Sequence, residues 1–318
     1  MTNIHTRRRT LLAGAGAHAT LGGLRALGGL RIAGGLRALG GLGTLGGLGA
    51  LAGCAAATDR STATDRSTAA AGTPDADLRV LAAGRHRTAS NVARDPHRHP
   101  LEVIAFLGIR PDSTVVEILP GSAGYYMELL APWLRERGLY IAAGRDETAP
   151  VQYLADHRRL LARLEAEPAL YGRVRVTKFN GARHDVAPPG SADFVLTFRN
   201  LHNWIERGEA ADALNAFHRA LKPGGVLGVV DHRGRTDQSQ QAQMKSGYVR
   251  QDYAVALIER AGFRLAASSE VNANPRDTKD HPEGVWTLPP TYRLKDVDRA
   301  KYQAIGESDR FTLKFVRV

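Results

Sequence analysis

The sequence predicts an α/β fold in which a mostly parallel sheet is flanked by helices, and three observations lead there. Short apolar runs alternate with helical stretches through the C-terminal part of the chain. Those runs are continuously hydrophobic, as strands buried on both faces are. Several of them close on polar or small residues, at the strand edge where the crevice of such a sheet opens. About 220 residues are available for this part, enough for one domain with a sizeable core.

In chain order, TVVEIL at 114–119 reads as the first strand, followed by a small-residue turn and a helix over 124–137. LYIAAG supplies a second strand over 139–143. The stretch 150–167 is amphipathic, with Leu154, Leu160, Leu161 and Leu164 inward and its arginines solvated. A third strand lies over 173–179 and a fourth over 192–198. A helix over 209–221 ends at a ProGly turn that feeds a fifth strand over 225–231, and a further helix covers 249–261. The terminal FTLKFVRV alternates and reads as an edge or antiparallel closing strand.

The strand ends carry the candidate chemistry. Glu117 lies where the first strand closes, and Gly121 and Gly124 in the following turn let the backbone approach a ligand and expose amide donors. Read alone, the same turn is equally a tight strand-to-helix connection. ADFVLTFRNLHNW at 192–204 delivers Arg199, Asn200, His202 and Asn203, and ALKPGGVLGVVDH at 220–232 delivers Asp231 and His232. In a parallel sheet both groups face one crevice. His202 or His232 has the near-neutral pKa suited to a general base, and the alternative is that both cap strands and bind loops.

VVEILPGSAG and the LKPGG turn at 221–225 resemble the corresponding motifs of class I S-adenosylmethionine-dependent methyltransferases, over roughly 97–318. More narrowly, DPHRHPLEV, FRNLHNW, GYVRQDY, NANPRDTKD, GVWTLPPT and GESDRFTLKFV are similar to a family of exported predicted methyltransferases of unknown substrate. The resemblance implies a Rossmann-like, mostly parallel seven-stranded sheet and S-adenosylmethionine as cofactor. It implies a cofactor side made of Glu117, Gly121, Gly124, Asp146, Asn180, Arg199 and Asn200, with Asn180 reading the adenine amino edge. Their place at the strand ends makes His202 and His232 the catalytic candidates and Asp231 an acceptor-side candidate; Asn272, Asn274 and Asp277 on a late loop line the acceptor side or form a solvated turn around Pro275.

The chain departs from the family pattern in two places. Leu119 and Ala123 stand where the first motif has glycines, and a left-handed Ala123 would cost about 1–2 kcal/mol. The second strand lacks its terminal acid, and Asp146 arrives about two residues late for the ribose hydroxyls. Two functions from different classes therefore stand: a methyltransferase, or a ligand-binding protein on a degenerate methyltransferase scaffold.

Residues 1–54 carry their own signals. TRRRTLL at 6–12 resembles a twin-arginine export signal, and Leu51, Ala52, Gly53 and Cys54 match a lipobox, with Cys54 the lone cysteine and expected acylation site. Hexapeptide repeats over 21–50 read as a duplicated low-complexity leader, and the polar stretch 55–90, with ATDRST at 57–62 and again at 63–68, as a disordered tether. The folded domain is expected over 91–318. Six arginines and no acid fall within residues 1–54; without them the formal charge of +11 drops to +5. No cluster of Lys and Arg interleaved with aromatics follows, which argues against nucleic-acid binding. Membrane contact is expected through the lipid anchor only, on the periplasmic face of an outer membrane because Ala55 follows the cysteine. Export is in tension with a cofactor made in the cytosol, a tension that folded-state export relieves in part.

Other chemistries find little support. No GxSxG is present, and Ser308 has no strand-to-helix elbow around it. Asp95, His97 and His99 read as helix-entry residues, and no metal site is expected.

Overall fold

The computed structural model describes residues 74–180 and 183–318, with the backbone alone at 183. The export signal, the repeats, Cys54 and the tether up to residue 73 lie outside the described residues. The described part is a Rossmann-like α/β fold.

Eight strands form one sheet: β1 Thr114–Ile118, β2 Leu139–Gly144, β3 Arg175–Asn180, β4 Arg183–Asp185, β5 Ala192–Phe198, β6 Leu221–His232, β7 Phe263–Ser269 and β8 Arg310–Arg317. Their order is β4-β3-β2-β1-β5-β6-β8-β7. β3, β2, β1, β5 and β6 run parallel, while β4 and β8 are antiparallel to their neighbours. The count is eight and not the expected seven. β4 is a three-residue strand, too short to show a period, and it pairs back onto β3. The terminal strand β8 is antiparallel as expected but not at the edge: it lies between β6 and β7, and FRLAASS in β7 forms the border.

The sheet is buried on both faces, which is why its strands read as unbroken apolar runs. Alternation along β1 sends Val116 and Ile118 to a core with Trp204, Phe217 and Ile258, and Val115 to a second core with Leu107, Leu129 and Tyr140. The helix Ala210–Ala220 covers the first face, and Met127–Leu134 the second. In the amphipathic helix Val151–Ala166 only Leu160 of the four leucines is fully buried.

The folded part starts earlier than residue 91. Asp75 caps the helix Ala76–Ala82, accepting hydrogen bonds from the amides of Asp77 and Leu78, and Trp133 donates to its Oδ1 at 3.1 Å. Leu78 is completely buried and Arg87 pairs with Asp95. The tether reading for 74–90 is thereby corrected; the helix spans only seven residues, ADLRVLA, too few to show a helical period beside the polar stretch before it. In DPHRHP, Asp95 serves Arg87 and the Tyr125 hydroxyl, and His99, at φ 44°, turns the chain between two helices.

Candidate active site

Register decides which side chains meet. β5 and β6 run parallel with Phe198 opposite Val230, so the residues that follow β5 face the end of β6. His202, on the first turn of the helix Leu201–Arg207, donates from Nδ1 to Asp231 Oδ1 at 2.8 Å. The same carboxylate accepts the backbone amides of His202 at 3.2 Å and His232 at 2.8 Å. A carboxylate can only accept, so this pair fixes the tautomer of the neutral His202 ring, with Nδ1 as donor and Nε2 as the free acceptor.

Burial alone would raise the Asp231 pKa, but the adjoining His202 and these hydrogen bonds outweigh it and hold the carboxyl below its ordinary value. His232 stands beside it, with ring centroids 5.2 Å apart, and Ser308 Oγ lies 2.5 Å from its Nδ1. Burial, more than offsetting Asp231, pushes the His232 pKa well down, so this imidazole is neutral.

The two histidines open on a cleft of about 330 Å³ that also exposes Gly121, Arg199, Asn200, Trp286 and Glu307. Leu119 lines this cleft and a neighbouring cavity of about 260 Å³ bordered by Arg145, Tyr153, Phe179, Asn180 and Trp204. Behind the cleft Glu307 gathers three arginines: Arg94 at 2.7 Å, Arg98 at 3.1 Å and Arg310 at 3.0 Å. Burial raises the Glu307 pKa, and the three guanidinium groups reverse that and hold it at about 2.

Backbone strain falls beside the same cleft. Leu119 and Arg199 have φ of 54° and 61°, in the left-handed region that costs a side chain about 1–2 kcal/mol. Ala123 is not among the positive-φ residues, so the glycine-pattern departure that matters is Leu119.

Several expected assignments change. Glu117 lines neither cavity: it is buried, accepts a 2.6 Å hydrogen bond from the Tyr140 hydroxyl, and burial lifts its pKa to about 7. Alternation along β1 turns it toward the Tyr140 side of the sheet. Gly121 does border the cleft, whereas Gly124 makes room for Met127, whose Cε would lie 2.6 Å from an added Cβ. Asp231 stands behind His202, fully buried, and not on an acceptor surface. Asn272 donates to Thr312 Oγ1, and Asn274 to the carbonyls of Ile305 and Glu307, so both tie down the segment that carries Glu307 and Ser308. Asp277 accepts from Tyr248 and from the Asp309 amide, another structural role.

His202, His232, Arg199 and Asn200 share one cleft. Asn180 borders the second cavity and donates to Asp146 at 3.0 Å, while Thr148 and Asn180 hydrogen bonds help hold the Asp146 carboxyl well below its usual range. The sequence reading missed Glu307 and Trp286 as cleft residues, and Ser308 was weighed only as a nucleophile. The segments GVWTLPPT and GESDRFTLKFV were the available signal.

His202, Asp231 and His232 are also the described His, Cys, Asp or Glu side chains placed to hold a metal, with ligand-type atoms within 4.8 Å of one another. The carboxylate already accepts three N–H groups, and the positive charges of Arg199 and Arg310 act on the neighbouring His232, which opposes a cation. The arrangement suits proton abstraction inside a cleft at the carboxyl ends of parallel strands.

The solved structures it resembles include methyltransferases. An S-adenosylmethionine-dependent methyltransferase from Aquifex aeolicus is 16% identical, covers 76% of this chain and 97% of its own, and has a TM-score of 0.49. An O-methyltransferase of neocarzinostatin biosynthesis, NcsB1, solved with S-adenosyl-L-homocysteine and 1,4-dihydroxy-2-naphthoic acid, is 18% identical over 75% of this chain and 58% of its own, at 0.43. The [4+2]-cyclase SpnF is 14% identical over 70% and 80%, at 0.47. At such identities and scores the likeness carries no functional argument, and a cyclase stands among these structures. No protein-family model and no curated protein matches the sequence.

Proposed function

We propose that this chain is an exported lipoprotein whose folded part transfers a methyl group from S-adenosylmethionine to an acceptor hydroxyl or amine. The observation that carries it is the His202–Asp231 pair opening on a cleft at the carboxyl ends of β1, β5 and β6. Asp231 holds the ring and the Nδ1 proton, so His202 Nε2 takes the proton of the acceptor as that atom gains the methyl carbon. S-adenosylmethionine, when bound, supplies a methyl group on a positively charged sulfur.

The residues present fit an elongated ligand of that kind. Leu119 forms a wall common to both cavities, with Asn180, Tyr153 and Phe179 suited to a nucleoside on one side and Gly121 and Asn200 to the amino-acid end on the other. Glu117 faces away from both, and this observation, with Leu119 and Ala123 at glycine positions, favours the second reading of a ligand binder without turnover.

Calorimetric titration with S-adenosylmethionine and S-adenosylhomocysteine, followed by radiolabelled methyl transfer to an envelope extract, separates the two. Binding with transfer is expected; binding without transfer leaves the binder, and no binding rejects both. For the leader, the proposal is cleavage before Cys54, acylation there and residence at the outer membrane facing the periplasm, the lipid anchor being its membrane contact. No described helix is long and apolar enough to cross a membrane. Cys54→Ser is expected to block processing and lipid labelling; a variant processed at the same site and still labelled rejects it.

A further inference from the structure

The wall of the cleft holds more positive charge than its carboxylate balances. Glu307 serves Arg94, Arg98 and Arg310, and the Nη2 atoms of Arg94 and Arg98 are buried without a hydrogen-bond acceptor among the described residues. Arg199 adds a fourth guanidinium that borders the cleft and makes no hydrogen bond or ion pair with any described residue. Burial first, then Arg98, Arg94 and Arg310, press its pKa well down, with Glu307 alone opposing. Its backbone is left-handed at φ 61°, a conformation in which a long side chain is strained. A charged group kept unpaired, strained and next to like charges has its natural counterpart in a ligand anion.

The position says which ligand. Arg199 precedes Asn200 and His202 on the same turn after β5, next to the side chain that receives the acceptor's proton, and it does not border the Asn180 cavity. We propose that the methyl acceptor is an anion whose carboxylate or phosphate is held by Arg199 beside His202, an inference that rests on the methyl-transfer reading. A planar guanidinium with free donors suits either oxyanion.

Calorimetry on the full chain in detergent, at constant ionic strength, tests it with 4-hydroxybenzoate, its neutral amide analogue, inorganic phosphate and pyrophosphate. At least one anion is expected to bind, with the benzoate favoured over the amide about tenfold. Arg199→Asn, a residue at ease in the left-handed region, is expected to abolish that preference, and Arg199→Lys to keep part of it. Binding by none of the three anions, equal affinity for benzoate and amide, or a preference unchanged in Arg199→Asn overturns the proposal. It also falls if Arg199→Asn weakens S-adenosylhomocysteine while sparing 5′-methylthioadenosine, which lacks the carboxylate, because Arg199 then serves the cofactor. These anion titrations need no adenosyl ligand, so a failure of the methyl-transfer reading registers separately, as loss of S-adenosylhomocysteine binding.

Discussion

The two sides of the crevice are built to different standards. On the β5–β6 side Asp231 holds the Nδ1 of His202, Ser308 lies against the Nδ1 of His232, and Glu307 is clamped by three arginines. On the β1–β2 side the first-motif carboxylate is turned to Tyr140, a leucine occupies a left-handed position, and Asp146 is engaged by Thr148 and Asn180. The difference teaches that the half carrying the two histidines is organised by long-range pairing, whereas the half expected to grip a cofactor rests more on backbone shape. The two buried carboxylates mark the contrast, since one is held ionised and the other near neutrality.

The sharpest break should come from Glu307→Gln. It leaves three arginines, Arg98 and Arg310 of them buried, facing a neutral amide, and a loss of about 3–5 kcal/mol in denaturant unfolding is expected. The sign of its pH dependence is fixed by the depressed pKa. The Glu307 contribution is present above the ordinary value of 4.5 and is lost as pH falls toward 2, so the variant should show a flatter acid-unfolding profile over that window. An unchanged profile would mean that the arginines are balanced elsewhere.

Next in size is His202→Gln. Turnover should fall about a hundredfold or more, with adenosyl-ligand affinity within a few-fold, because proton removal is felt only in the transition state. Equal transfer rates in wild type and variant would move the base to His232 or remove it altogether.

Glu117→Gln probes the other side. The folded pKa, near 7, lies above the ordinary 4.5, so Glu117 costs stability increasingly as pH rises from 4.5 to 7. Gln keeps the acceptor for Tyr140 and removes the charge, so the variant should be more stable by about 1–3 kcal/mol at pH 7 and indistinguishable below pH 4. Ligand affinity should stay within a few-fold; a tenfold loss would return Glu117 to the binding site. The smallest effect is expected for Ala123→Gly, less than about 1 kcal/mol in unfolding, since Ala123 is not left-handed. A clear stabilisation would show a strain the backbone does not display.

Much of the framework was legible because burial on both faces leaves a local trace. β1, β2, β5 and β6 announced themselves as apolar runs, and their polar closures marked Arg199, Asn200, His202, Asp231 and His232 as neighbours. Elements with little periodic signal were not legible: the docked helix Ala76–Ala82, the three-residue β4 and the border strand β7.

The sequence by itself determined which residues form strands and which strand ends carry polar groups, since a hydrophobic period reports the burial of each residue in its own segment. Only the tertiary structure decided the pairings: Asp231 behind His202 across 29 positions, Ser308 against His232 across 76, and Arg94 on Glu307 across 213. Such contacts depend on strand order and register, which put β8 beside β6 and bring the Glu307 segment to the cleft. The same side-chain alternation took Glu117 away from it: a carboxylate one residue from the strand's end points to whichever face the pleat assigns, and in β1 that face belongs to Tyr140.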